Sequence, residues 1–175
     1  MQEDQQAVQG LPARQRTSRP LLFAAIVLAV AACGTDTNAP PAADMLTAAT
    51  MPAEAPKPVA EYLAEPRYAT ASRELGDRLL FQCTACHSLE AGGANMLGPN
   101  LHGIFGRKSA STPGFGYTRA MQTADFTWTP RSMDAWIAQP ARFLPGNAMA
   151  YPGLRNADDR AALIASLLRQ TAAEE

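Results

Sequence analysis

The feature that most constrains this chain is the run Cys83-Thr84-Ala85-Cys86-His87, in which two cysteines two residues apart are followed at once by a histidine. A C-x-x-C-H run is typical of a site where a c-type haem is attached covalently. The two thiols can add to the two vinyl groups on one porphyrin edge, and the adjacent imidazole is then held beneath the iron as an axial ligand. The motif therefore predicts one covalent haem on Cys83 and Cys86, with His87 on the iron.

Two other uses of paired cysteines compete with this interpretation. A dithiol redox motif belongs in a βαβ context, whereas the residues flanking this motif have helical character and no strand run lies nearby. A closed zinc site needs four nitrogen or sulfur ligands, and the whole chain has only two histidines and three cysteines. Haem attachment is the better interpretation of the motif.

The N-terminus has the layout of an export signal. Three arginines between positions 14 and 19 precede an apolar run at 21–32, which is shorter than the roughly 20 residues of a membrane-spanning helix and suits a signal peptide. The run ends in small residues before Cys33, an arrangement that resembles the lipobox of bacterial lipoproteins. We expect Cys33 to carry a lipid on the periplasmic side of a bacterial membrane; the alternatives are a soluble periplasmic protein and an uncleaved N-terminal anchor.

Composition divides the rest of the chain into a tether and a domain. Residues 33–67 are rich in alanine and proline without a sustained hydrophobic period, which predicts a semi-extended tether after a signal peptide at 1–32. Residues 68–175 form the predicted domain. The net charge of the chain is −1, so nothing indicates nucleic-acid binding.

Helical spacing occurs at three places within the domain. Residues 75–80 predict a first helix that ends at the haem cysteines. Thr129, followed by proline, predicts the start of a second helix that stops before Pro140. Asn156 is a good N-cap for a terminal helix of about 14 residues. No alternating strand run appears, so we predict a small all-α domain with long loops, whose thin core is completed by the haem.

A six-coordinate iron needs a second axial ligand, and Met149 is the best candidate. It lies in a loop fixed by proline and glycine, whereas Met96 lies in a glycine-rich loop near the motif and Met133 has the spacing of a core residue. Met121 is the remaining rival.

The chain resembles the class I cytochromes c from about Arg73 to Arg169. The resemblance is carried, in the family's order, by Cys83 to His87, the run Gly98-Pro99-Asn100-Leu101-His102-Gly103-Ile104-Phe105-Gly106-Arg107-Lys108, Tyr117, Trp128 and the segment from Pro145 to Met149. It implies the small cytochrome c fold, in which the N- and C-terminal helices pack together and loops wrap one haem with His/Met ligation.

The resemblance also implies roles for residues around the haem. The Pro99 carbonyl would accept the Nδ1 proton of His87 and so fix the imidazole tautomer. Leu101 would pack on the porphyrin ring, and His102 is interpreted as a structural loop residue. The remaining three residues would meet a haem propionate as one cation and two neutral donors: Arg107, Tyr117 and Trp128.

The chain departs from the family in the same pocket. Trp136 replaces a frequent tyrosine beside the ligand sulfur, where its indole N–H is a possible donor. Asn147 replaces a threonine, and Ser166 replaces an aromatic residue on the last helix, which weakens the packing expected there. The family's lysine ring around the haem edge is also absent, so we expect weak electrostatic steering toward an acidic partner.

The function implied is that of a one-electron carrier, not an enzyme. It would exchange electrons with donor and acceptor proteins of a respiratory or photosynthetic membrane chain, bound to the membrane through the N-terminal lipid and without a small-molecule substrate. The alternatives are a haem-bearing subunit of a larger oxidoreductase and, with less support, a haem peroxidase or gas sensor, which needs a distal acid-base group that only His102 offers.

Overall fold

The computed structural model describes residues 46–173, and in this part of the chain the regular secondary structure is helical. An isolated bridge between Lys108 and Thr127 is the only β-type pairing there. The α-helices, in chain order, are α1 (Val59–Ala64), α2 (Pro66–Ala69), α3 (Arg73–Phe81), α4 (Arg119–Thr123), α5 (Pro130–Ala138), α6 (Pro140–Phe143) and α7 (Ala157–Gln170). A short 3₁₀ helix, Cys83–Ala85, follows α3. The prediction of an all-α domain is confirmed for the described residues.

The first predicted helix is α3. The Ser72 side chain caps it by accepting a hydrogen bond from the Leu75 backbone N–H, and Glu74 lies in the positive first turn. Leu80 is fully buried near the end of the helix. The helix ends at Phe81, so the chain enters the cysteine motif directly from a fixed element.

The two later predicted helices also form where expected. In α5, Thr129 and Ser132 make a reciprocal capping box, proline occupies the first turn, and the helix ends before Pro140. In α7, the Asn156 side chain accepts from the N–H groups of Asp158 and Asp159. This terminal helix has 14 residues, the length that the sequence predicts.

Helices α3 and α7 approach each other closely at Gly76. A Cβ atom at this position would lie 2.2 Å from the Ala162 carbonyl oxygen and 3.1 Å from the Ser166 Cβ. Because no side chain fits in that space, a glycine is required for the two backbones to meet. The crossing fixes the direction in which α3 delivers the cysteines.

Residues 46–67 differ from the predicted tether. Leu46 and Tyr62 are buried, α1 and α2 pack against α7, and the Ala48 N–H donates to the Phe143 carbonyl at 2.8 Å. Farther along, the Thr129 hydroxyl donates to the Glu54 carboxylate at 3.1 Å. The described part of this segment is thus folded onto the domain, since a few large apolar anchors hold helices too short to show a period.

A buried ion pair joins α5 to α7. Asp134 and Arg160 are both buried, and their Oδ1 and Nε atoms are 2.7 Å apart. Arg160 also donates through Nη1 to the backbone carbonyls of Leu154 and Arg155. The pair therefore holds the end of the loop that precedes α7.

The predicted signal peptide and the predicted lipid-attachment residue Cys33 lie outside the described residues. Within residues 46–173, no helix has the length and apolar character needed to cross a membrane.

Candidate functional site

The two cysteines of the motif lie on a single tight turn at the end of α3. The N–H groups of Cys86 and His87 both donate to the Cys83 carbonyl, at 3.0 and 2.9 Å. Both cysteines are free and half-buried. Burial, with the nearby Cys86, raises the pKa of the Cys83 thiol to about 11, so this thiol is neutral near pH 7.

The His87 imidazole is fixed by a hydrogen bond to the backbone of a distant loop. Its Nδ1 lies 2.7 Å from the Pro99 carbonyl oxygen, an acceptor that requires a proton on Nδ1. Burial lowers the pKa of His87, although the bond to Pro99 opposes this shift. The ring is therefore held neutral with an unprotonated Nε2, the form that binds a metal ion.

Gly98 makes room for this imidazole. A Cβ atom at position 98 would lie 2.3 Å from the His87 Cε1, and the Gly98 N–H donates to the Cys86 carbonyl at 2.8 Å. The loop backbone and the motif are thus in direct contact, which places the Pro99 carbonyl beside the ring.

Met149 lies in an irregular loop between α6 and α7 and is held by a side-chain amide. Asn147 accepts from the Met149 N–H through Oδ1 at 2.8 Å and donates through Nδ2 to the carbonyls of Pro140 and Leu144. This set of bonds fixes the loop in one conformation.

The sulfur of Met149 has a hydrogen-bond donor of its own. The Trp136 indole Nε1 lies 3.2 Å from the Met149 Sδ, the contact that the sequence suggested for this tryptophan. Trp136 is buried and meets Trp128 and Phe143 edge to face, with ring centroids 5.6 and 5.8 Å apart. Because aromatic neighbours fix the indole, its N–H stays directed at the sulfur.

Arg107 and Trp128 are brought together by the backbone. The Trp128 N–H donates to the Arg107 carbonyl, and the Gly106 N–H donates to the Trp128 carbonyl, both at 2.8 Å. Tyr117 is near enough to Arg107 to partly offset the lowering of the guanidinium pKa by burial. The three residues expected at a propionate therefore lie in one region of the structure.

The Arg107 guanidinium is only partly satisfied. It donates through Nη1 to the Thr112 hydroxyl at 3.1 Å and through Nη2 to the Asn100 carbonyl at 3.0 Å. Its Nε is buried and has no hydrogen-bond partner among the described residues. A buried donor of this kind normally has an acceptor, and a carboxylate supplies one.

The remaining candidate residues are less constrained by the structure. Leu101 is half-buried and packs against the core, and the His102 N–H donates to the Asn100 side chain. Among the rival methionines, Met121 and Met133 are buried in the core, and Met96 is exposed.

Sequence reasoning missed the residues that support this site. Asn100 lies in the run from Gly98 to Lys108 that carries the family resemblance, but its contacts to the backbone of His102 and to Arg107 depend on the loop conformation. Thr112 lies outside any motif, and no sequence signal marks it. The sequence shows that Asn147 replaces a threonine of the family, but it does not predict the hydrogen bonds by which this side chain holds the loop.

These residues fit a haem. A neutral imidazole and a thioether are ligands that haem iron takes, two cysteines stand at the attachment spacing, and the unpaired Nε of Arg107 suits a propionate oxygen.

Comparison with known proteins finds cytochromes c among the relatives of this chain. The chain is 41% identical over 91 residues to cytochrome c of Chlamydomonas reinhardtii, which covers 52% of this chain and 81% of that protein. It is 38% identical over 88 residues to cytochrome c of Kluyveromyces lactis, covering 50% and 80%. For cytochrome c of Arabidopsis thaliana the identity is 39% over 90 residues, covering 51% and 80%. No protein-family model matches the chain.

Proposed function

Because the chain belongs to the cytochrome c family, we propose that it carries single electrons on one haem bound covalently to Cys83 and Cys86, with His87 and Met149 as axial ligands. The observation that carries the ligand assignment is the bond between His87 Nδ1 and the Pro99 carbonyl at 2.7 Å. It leaves Nε2 as the free ligand atom, one residue after the second attachment cysteine.

His87 acts as a fixed, electron-rich ligand. When bound, the haem supplies an iron that alternates between Fe(III) and Fe(II). The Pro99 carbonyl holds the Nδ1 proton, orients the ring and raises the basicity of Nε2. Since Gly98 packs against the ring, the imidazole does not need to reorient when the charge on the iron changes.

Met149 completes the ligand set and excludes small molecules from the iron. Asn147 holds its backbone and Trp136 donates to its sulfur, so the thioether is positioned without help from the metal. His/Met ligation raises the reduction potential of cytochromes c. With both axial positions filled, the site suits electron transfer and not substrate turnover.

Arg107, Tyr117 and Trp128 would bind a haem propionate. The guanidinium keeps its charge because its ordinary pKa is far above neutral, and its buried Nε lacks a partner. A carboxylate at this position satisfies the donor and offsets the buried charge.

We further propose the cellular setting that the N-terminal sequence predicts. Residues 1–32 are removed as a signal peptide, Cys33 carries the lipid, and the haem domain, with loops wrapped around the cofactor, faces the periplasm. There it exchanges electrons with donor and acceptor proteins of a membrane chain. Support comes from the arginines, the apolar run and the small residues before Cys33.

Mass spectrometry of the purified N-terminal peptide tests this setting. A peptide that begins at Cys33 and carries acyl chains is expected. An unmodified N-terminus at another residue contradicts the lipid anchor.

The haem assignment is tested by removing both thiols. Cys83→Ala with Cys86→Ala removes both sulfur atoms that can form thioether bonds, so acidified organic solvent should extract all of the haem from the double variant and none from the wild type. Cys33→Ala is the matched control, because it removes a cysteine outside the motif, and its haem should remain attached. Covalent haem in the double variant would place the attachment elsewhere.

A further inference from the structure

Three large apolar side chains are conspicuously exposed among the described residues, and all three flank the cysteine motif. Phe81 is 78% exposed, Leu97 81% and Met96 49%. Phe81 precedes Cys83 by two residues. The turn that carries the other two is joined to the motif, since the Met96 N–H donates to the Gly98 carbonyl and the Gly98 N–H to the Cys86 carbonyl.

The exposure of Phe81 follows from the geometry of α3. Successive side chains on an α-helix are about 100° apart, so a residue next to one that faces the core points to the side. Leu80 is buried against the core, and Phe81 is therefore directed outward. Folding gains little from a phenyl ring in this position, and a cluster of exposed apolar groups is typical of an interaction site.

The same region of the chain has a single charged side chain, the exposed Glu90, which lies between two uncharged segments. Residues 79–89 and 91–106 contain no Asp, Glu, Lys or Arg, and the two segments are joined by hydrogen bonds from Gly98 to Cys86 and from Leu101 to Ser88. We call these two segments the uncharged rim. The loop that carries Met149, residues 143–154, also lacks charge. Arg78, the nearest basic residue before the rim, is paired with Glu74.

We propose that the uncharged rim is the docking surface for a redox partner protein whose own contact face is uncharged and apolar. This inference rests on the proposed function, because an electron carrier must bring its cofactor edge close to that of its partner. Burying Phe81, Met96 and Leu97 against an apolar face is favourable. A charged partner face would lose its hydration at the rim, where Glu90 is the single charge that it could meet.

Charged and apolar docking surfaces differ in how their association rates depend on salt. Docking between oppositely charged faces is steered over long range and slows steeply as salt is added, whereas apolar docking is not steered and is nearly independent of salt. The salt dependence of protein-to-protein electron transfer therefore reports which kind of face is used.

A second copy of this chain is a redox protein with such a face, and it serves as the probe. The electron self-exchange rate between the ferric and ferrous holoprotein is measured by NMR line broadening at low and high ionic strength. For the wild type we expect a change of less than about twofold across this range, since Glu90 is the single charge at each contact face.

Leu97→Glu should slow self-exchange about tenfold at low ionic strength, with recovery as salt screens the repulsion between the faces, each of which then carries Glu90 and the introduced carboxylate. Leu97→Gln removes apolar area without adding charge, so its rate should fall at every ionic strength alike. The matched control is Ala69→Glu, an exposed position on α2. It adds the same charge before the start of α3, whose nine residues extend about 13 Å toward Phe81, and its rate should stay close to that of the wild type.

A steep salt dependence in the wild type, or equal rates for Leu97→Glu and Ala69→Glu, overturns the docking surface. Equal rates for Leu97→Gln and the wild type also overturn it, because apolar burial would then play no part. Any of these three results leaves the proposed function intact if the same samples show a normal haem spectrum and reversible reduction. A protein without attached haem or without a ferric/ferrous couple contradicts the proposed function itself.

Discussion

At the residue scale, the contact between Trp136 and Met149 distinguishes this site. The indole N–H lies 3.2 Å from the thioether sulfur, and the ring is held by Trp128 and Phe143. A hydrogen-bond donor at the sulfur withdraws electron density from it. This weakens the bond from sulfur to Fe(III) more than the bond from sulfur to Fe(II). The hydrogen bond should therefore favour the reduced state.

Replacing the donor tests this effect. Trp136→Phe keeps an aromatic ring but removes the N–H, so the reduction potential should fall by roughly 20 to 60 mV, the range that corresponds to a hydrogen bond of about 0.5–1.5 kcal/mol for a one-electron couple. Spectroelectrochemical titration of the purified protein gives the potential. Phe143→Leu is the control, because it disturbs the same aromatic group without touching the sulfur. A potential unchanged in Trp136→Phe, or lowered equally in both variants, contradicts the account.

Sequence reasoning reached the chemistry-bearing residues of the site but not their supports. Cys83, Cys86 and His87 form a contiguous motif whose spacing carries its meaning. The bonds that hold Arg107, from Nη1 to Thr112 and from Nη2 to an Asn100 carbonyl, depend on how two loops fold over each other. No local pattern encodes such a contact.

At the element scale, the crossing of α3 and α7 is polar on one side. Ser166 is fully buried, and its hydroxyl donates to the Asp77 carboxylate on α3. Gln170 donates through Nε2 to the same carboxylate and to the Ser166 oxygen, both at 3.0 Å. The serine that stands where the family has an aromatic residue thus contributes a hydrogen bond between the helices.

This crossing predicts a dependence of stability on pH. The Ser166 hydroxyl, and to a lesser degree Gln170, lowers the pKa of Asp77 below its ordinary value. A carboxyl whose folded-state pKa is lowered stabilises the fold above the unfolded-state pKa, near 4, and loses that contribution as the pH falls through the folded-state value. Ser166→Ala should therefore lower the thermal midpoint at pH 7, and the difference from the wild type should shrink below about pH 4.

Calorimetry at a series of pH values provides the measurement. The control is the same substitution in an Asp77→Asn background, where no carboxyl titrates and the effect of Ser166→Ala should no longer depend on pH. A difference between wild type and Ser166→Ala that is constant from pH 7 to pH 3 would rule out the coupling to Asp77.

The helices divide by how strongly the local sequence specifies them. For α3, α5 and α7, a periodic apolar face comes with caps such as Thr129 and Asn156, and both signals are local. For α1 and α2, with six and four residues, neither signal is present, and their N-caps make no side-chain hydrogen bond. They depend on tertiary anchors, chiefly Tyr62 and Tyr68, which are buried in the core.

At the scale of the whole molecule, charge and apolar surface are distributed unequally. The domain from residue 68 onward has ten basic and nine acidic side chains, yet between residues 79 and 106 Glu90, which separates the two segments of the uncharged rim, is the single charged side chain. The sequence predicted weak steering from this near-neutral balance. It did not identify the surface, because the exposure of Phe81 beside the buried Leu80 depends on the rotation of α3 against the core.

The proposed function depends most on one iron held between His87 and Met149. The chain brings the first ligand from the end of α3 and the second from the loop before α7, and it fixes each through a neighbouring side chain or carbonyl. In the proposed function, both segments contribute a ligand to one electron-transfer site.

The measurement that tests this claim most directly is the absorption spectrum of the oxidised holoprotein and of its Met149→Ala variant. The wild type should show the far-red iron–sulfur charge-transfer band and should not bind CO when reduced, whereas Met149→Ala should lose the band and bind CO. Met133→Ala, which alters a buried core methionine, should keep the band. If the band persists in Met149→Ala, or is absent from the wild type, the His87/Met149 ligation is contradicted.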